Sequence, residues 1–147
     1  MPVTHIIYPL VFSAAFNKEI DIVADSIYCA LVLTGYTPSQ DTHDYWDDVV
    51  ANEHAASGNY ATNGDQLTNP SVTYTAGTNK WKFDADDAQW LASTITAYYA
   101  VVYDRTPATD ATRPLICLID FGEDKSTSGG PFDITFHADG IFEITIA

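Results

Sequence analysis

Apolar and polar residues alternate with period two through the C-terminal part of the chain. Phe132, Ile134 and Phe136 alternate with Asp133, Thr135 and His137; Phe142, Ile144 and Ile146 alternate with Glu143 and Thr145. This pattern predicts two antiparallel strands with one wet face each. The "ADG" between them reads as a tight hairpin, and "STSGGP" before them as a turn at Gly129, Gly130 and Pro131. Upstream, "SIYCALVLT" at 26–34 is a continuous apolar run between turn-rich flanks, so it predicts a strand buried on both faces. "TITAYYAVVYD" at 94–104 predicts a long strand from its β-branched and aromatic residues. Shorter strands are expected at 115–120 and, as a hairpin joined through "AGTN", at 72–75 and 80–84.

Helical spacing occurs twice. Pro9 suits a first helical position, and Phe12, Ala15 and Phe16 can share a face, which predicts a helix over 9–17. The preceding Ile6, Ile7 and Tyr8 could equally begin a strand. Asp41 can cap a second short helix, with Asp44 in its first turn and Tyr45, Trp46, Val49 and Val50 on one face. Residues 51–70, rich in Gly, Asn and Ser, read as a long loop, and such loops are usually functional or packed against a partner. Residues 105–114 read as an exposed loop. Seven or eight strands with one or two short helices predict a single mainly β domain over 1–147. The expected form is an antiparallel β-sandwich or jelly-roll-like barrel.

Composition supports an ordered chain and adds one constraint. In 147 residues, 46% hydrophobic and 13% aromatic content argue against disorder. Twenty acids against six bases give a net charge of −14. That field repels phosphates, so binding to nucleic acid or to an anionic membrane is not expected. The first twenty residues lack a basic n-region and a long apolar run, and no stretch reaches the ~20 apolar residues of a spanning helix. Cys29 and Cys117 each lie in an apolar run and read as buried thiols from a reducing cytoplasm; pairing would need neighbouring strands.

Candidate chemistry is sparse. "FDADDAQW" opens like a calcium loop at Asp84 and Asp86, then offers Ala88 and Gln89 where further ligands belong. The simpler reading is a capping box between Asp86 and Gln89. His43 with Asp44, Asp47 and Glu53 reads as a solvated helix face rather than a metal cluster. No GxSxG, HExxH, GxGxxG or P-loop pattern occurs, so no catalytic residue, cofactor or metal site is expected. Tyr36, Tyr60, Trp81 and Trp90 fall at strand ends or in loops, where stacking on a sugar would want them.

Taken together, "NKEID", "YTPSQDTHDYWDDV", "FDADDAQWLASTITAYYAVVYD", "LIDFGEDKSTSGGPFDITF" and "DGIFEITIA" give residues 17–147 a resemblance. The chain resembles a family of small virion structural proteins of tailed bacteriophages. The resemblance implies a non-enzymatic role, most readily an external capsid decoration or cement protein made in the host cytoplasm. Its partners would be the major capsid protein or other virion proteins, within a homo-oligomer for which a trimer is favoured. The alternative is a neck, tail or fibre-associated protein, one that could serve as a host-glycan-binding module. Because like-charged copies repel, contacts should be apolar or hold the bases. The candidate interface residues are Ile6, Ile7, Tyr8, Lys80, Lys82 and Arg113, with residues 1–17 as a partner-contacting segment.

Overall fold

In the computed structural model, which describes residues 3–147, the chain is mainly β, with antiparallel pairing throughout. Met1 and Pro2 of the expected contact segment lie outside the described residues. The strands are β1 (Thr4–Ile7), β2 (Ile27–Val32), β3 (Asp65–Gln66), β4 (Ser71–Thr75), β5 (Lys80–Asp84), β6 (Ala88–Asp104), β7 (Leu115–Ile134) and β8 (Phe142–Thr145). One α-helix, α1 (Val11–Phe16), follows β1. The large sheet runs β1-β7-β6-β2-β3 and the small sheet β4-β5-β8. The two sheets remain separate, in a sandwich-like arrangement.

The large sheet is buried on both faces at its centre. One face carries Cys29, Leu31, Ala100, Val102 and Ile119, packed with Phe83 of the small sheet and with Trp90 and Ile141. The other carries Ala30, Val32, Val101, Tyr103 and Leu118, covered by Tyr36, Trp46 and Val49 from the segment after β2. Trp46 stacks on Tyr103 with ring centroids 4.1 Å apart and planes within 6°. This is why β2 reads as an unbroken apolar run.

Four expectations are corrected. Residues 41–50 form no α-helix, and Asp41 caps nothing; Trp46–Asp48 and Val50–Asn52 are single 3₁₀ turns. Backbone groups there are taken by a bridge to the strand opposite: Trp46 N–H donates to the Arg113 carbonyl at 3.0 Å, and Leu115 N–H to the Asp44 carbonyl at 2.9 Å. The capping box at Asp86 does not form either. Gln89 lies in β6 and donates to Asp133 at 2.6 Å, while Asp86 accepts from Thr68 and Asn69.

The serine-rich stretch is not a turn. Strand β7 runs through it for 20 residues, with Gly129 and Gly130 inside. The register of the β6–β7 pair shifts at four places, most at the bulge between Ala97 and Tyr99 of β6, where β7 runs from Lys125 back to Asp120. Gly122 sits in that excess with φ 74°, a left-handed backbone that favours glycine. Finally, "ADG" does not join two paired strands. The turn at His137–Gly140 carries the chain to the other sheet, where β8 pairs with β5.

The long 51–70 loop has a structural task. The outer edge of β6 beyond β2 would be bare, and residues 54–60 cover it with side chains. The N–H groups of Ala92, Thr94 and Thr96 donate to Asn59 Oδ1, Ser57 Oγ and His54 Nε2 at 3.0, 3.3 and 3.3 Å. An open strand edge is a template for unwanted pairing, and this side-chain ladder blocks it.

Candidate functional site

The six expected interface residues are not brought together. Tyr8 is fully enclosed, and its hydroxyl bonds that of Tyr36 at 2.8 Å. Burial and the Tyr36 bond push its pKa far up, so it stays a neutral core residue. Ile6 and Ile7 pack against opposite faces of the large sheet. They form β1, which pairs with Cys117 and Leu118 of β7. The exposed apolar side chains of this segment are instead Val3, before β1, and Phe12 and Phe16 of α1, of which Phe16 is 87% exposed.

The three bases are held by acids of the chain. Lys80 pairs with Glu143 at 2.5 Å and Lys82 with Asp84 at 3.3 Å across the polar face of the small sheet. Arg113 pairs with Asp110 at 2.5 Å and also donates to the Pro107 carbonyl at 2.9 Å. Its loop lies before β7, outside the small sheet.

A different contact surface emerges from strand register. Val72, Phe83 and Phe142 form one cross-strand row of the small sheet; Tyr74, Trp81 and Ile144 form the next. All six therefore share a face. The first row anchors that face, since Phe83 is buried in the core with Phe142 against it. The second row runs past the body. Val72, Tyr74, Trp81 and, just beyond β8, Ile146 remain 42%, 45%, 41% and 52% exposed. The rings of Tyr74 and Trp81 lie 5.0 Å apart. The opposite face carries Thr73, Thr75, Lys80, Lys82 and Glu143. Period-two alternation marks each of these strands in the sequence, but only their pairing shows that the apolar positions make one stripe.

Other candidates are absorbed by the fold. Tyr36, Tyr60 and Trp90 are buried, which leaves Trp81 alone of the four expected stacking aromatics at the surface. Tyr60 receives the Leu31 N–H at 2.9 Å and donates to Glu53 Oε1 at 3.0 Å. Burial raises the Glu53 pKa against that bond and the one from Asn63 N–H. His43 bonds the Tyr36 hydroxyl at 2.7 Å. His5 faces the Ile141 carbonyl at 2.9 Å.

Cys29 and Cys117 are free, buried thiols. Both lie opposite Val102, one on each side of it. They are thus two strand spacings apart, roughly 9–10 Å, too far for a disulfide. Burial pushes the Cys117 thiol up to about 12, so it is no nucleophile at neutral pH.

Among the described residues no group of three or more His, Cys, Asp or Glu side chains converges on a metal-sized space, and no helix is long and apolar enough to cross a membrane. What the surface offers is an uncharged aromatic stripe on an otherwise acidic chain. No protein-family model, curated protein or solved structure matches this chain.

Proposed function

We propose that this chain is a non-enzymatic structural protein of a tailed-bacteriophage virion, acting on the outside of the capsid as a decoration or cement protein. The observation that carries this reading is the exposed stripe of Val72, Tyr74, Trp81 and Ile146 on a chain of net charge −14. Contiguous apolar surface marks contact with another macromolecule. On this molecule it is also where a second acidic copy can approach without meeting carboxylates. Resemblance of residues 17–147 to small virion proteins supports the setting, and the acidic charge favours a place away from packaged DNA. The partners would be the major capsid protein and further copies of this chain in a closed ring, a trimer being favoured.

A second reading keeps one observation of its own. The Tyr74–Trp81 ring pair is half-exposed and could stack on a saccharide, as a tail- or fibre-borne glycan binder would require.

Quantitative mass spectrometry of purified particles separates the two. A copy ratio to the major capsid protein near one, or near a simple fraction such as one-third, supports decoration. A ratio of about one in a hundred moves the protein to the neck, tail or fibres. Absence from washed particles overturns both.

A further inference from the structure

A cleft of about 690 Å³ opens between residues 18–25 and the end of β6. Glu19, Asp21, Asp25 and Asp104 line it, with Lys18 as the one base among the lining residues. Asp104 ends β6 and is 0% exposed. Its Oδ1 accepts the Thr106 N–H at 2.8 Å, but its Oδ2 is buried without any hydrogen-bond partner. A buried carboxylate oxygen left so is costly, and it normally marks a proton, a water or a cation.

The neighbours do not supply the missing positive charge. The carboxyl of Asp25 lies within hydrogen-bonding reach of that of Asp104. Asp25 is held in place by the Asp21 N–H, which donates to its Oδ2 at 2.6 Å. Asp21 in turn accepts the N–H groups of Val23 and Ala24 at 3.1 Å each, so the turn is rigidly tied. Arg105, next in the chain, places its guanidinium over the Tyr28 ring, 5.0 Å from the centroid. The ion pairs among the described residues do not involve Lys18.

We propose that the facing carboxylates of Asp25 and Asp104 bind a hydrated divalent cation at the floor of this cleft. Two carboxylates with no nitrogen or sulfur donor suit a hard ion. Too few side chains converge for a dehydrated cage, whereas Mg²⁺ retains several waters and is commonly held by one or two carboxylates. Asp104 is closed to solvent, so those waters would lie on the side of the half-buried Asp25, where the cleft is open. A bound cation would tie the turn after α1 to the end of β6, a link the chain otherwise makes through the Ser26 N–H and Thr106 Oγ1 and through the Arg105 N–H and Ser26 carbonyl. The site is independent of any role in a particle.

A proton on the Asp104 carboxyl is the competing occupant. Burial raises Asp104 to about 6, against hydrogen bonds from Thr106, with the Asp25 charge adding to the rise.

Thermal unfolding at pH 7.5, in MgCl₂ or CaCl₂ against NaCl of equal ionic strength, tests the site. The wild type and the surface control Asp124→Asn should gain several degrees in millimolar divalent salt, and Asp104→Asn should gain none. A flat wild-type response, or an equal gain in Asp104→Asn, overturns the proposal, the latter because it reduces the effect to screening of the acidic surface. Titration calorimetry of the wild type with either salt needs no variant. At pH 7.5 it should show one site per chain. No site, or many weak sites per chain in place of one, would sink the idea.

Discussion

Asp104 shows how one buried group writes a pH dependence into the whole chain. Folded, it keeps its proton up to about pH 6; unfolded, it releases it near 3.9. Between those values the native state holds the extra proton, so stability falls as pH rises. The loss is complete above pH 6 and amounts to on the order of 3 kcal/mol. Asn at this position keeps an acceptor for the Thr106 N–H and can donate to Asp25 without a charge. In buffer with chelator, Asp104→Asn should therefore match the wild type near pH 4 and be the more stable protein at pH 7. Urea unfolding of both across that range measures the difference. A difference that does not grow with pH would mean that the two carboxyls do not oppose each other in the folded chain.

At the scale of elements, the legible parts are those whose burial is written in residue type. Strand β2 and the second half of β6 face core on both sides, so their apolar runs announce them. The small-sheet hairpin is equally plain. Three features are not legible, each because tertiary pairing overrides a local signal. "AQWLAS" has poor strand propensity, yet Trp90 sits in the core and pulls 88–93 into β6. "GEDKSTSGG" has no apolar signal because that half of β7 owes its order to pairing with β6. The 41–50 segment has helical spacing, but its backbone is taken by the bridge to Pro114. The candidate contact stripe was hidden for a related reason: its members come from three strands whose register no local pattern shows.

The loop over the β6 edge makes a testable claim at this scale. Gly58 has φ 59°, and a Cβ there would lie 1.9 Å from the Ala92 carbonyl oxygen. Gly58→Ala should cost about 2–4 kcal/mol and lift the loop. Amide exchange at Ala92, Thr94 and Thr96 should then rise together, since their acceptors leave as one unit. Gly77 has open space around its Cβ direction, so Gly77→Ala should stay within about 0.5 kcal/mol of the wild type. Unchanged exchange at those three amides in Gly58→Ala would deny the loop its covering role.

For the molecule as a whole, net charge and surface chemistry set opposite demands. Copies carrying −14 repel over a distance that salt shortens, from about 30 Å at 0.01 M to about 3 Å at 1 M. Two kinds of contact respond oppositely to this. A contact through Lys80, Lys82 and Arg113 would be ionic and would weaken as salt screens it. These bases are already paired with Glu143, Asp84 and Asp110 of the same chain, which leaves them little to offer a partner. A contact through Val72, Tyr74, Trp81 and Ile146 would strengthen with salt, because screening removes repulsion and leaves apolar attraction untouched. Sedimentation velocity in 20 mM and 500 mM NaCl, at one protein concentration, reads the sign directly. Self-association should increase with salt in the wild type and be lost in Trp81→Glu, which sets a carboxylate in the middle of the stripe. Trp81 is half-exposed, so the change should leave the fold intact, and an unchanged unfolding transition would confirm that. Association that falls with salt, or survives Trp81→Glu, would move the contact away from the small sheet and back to charged surface.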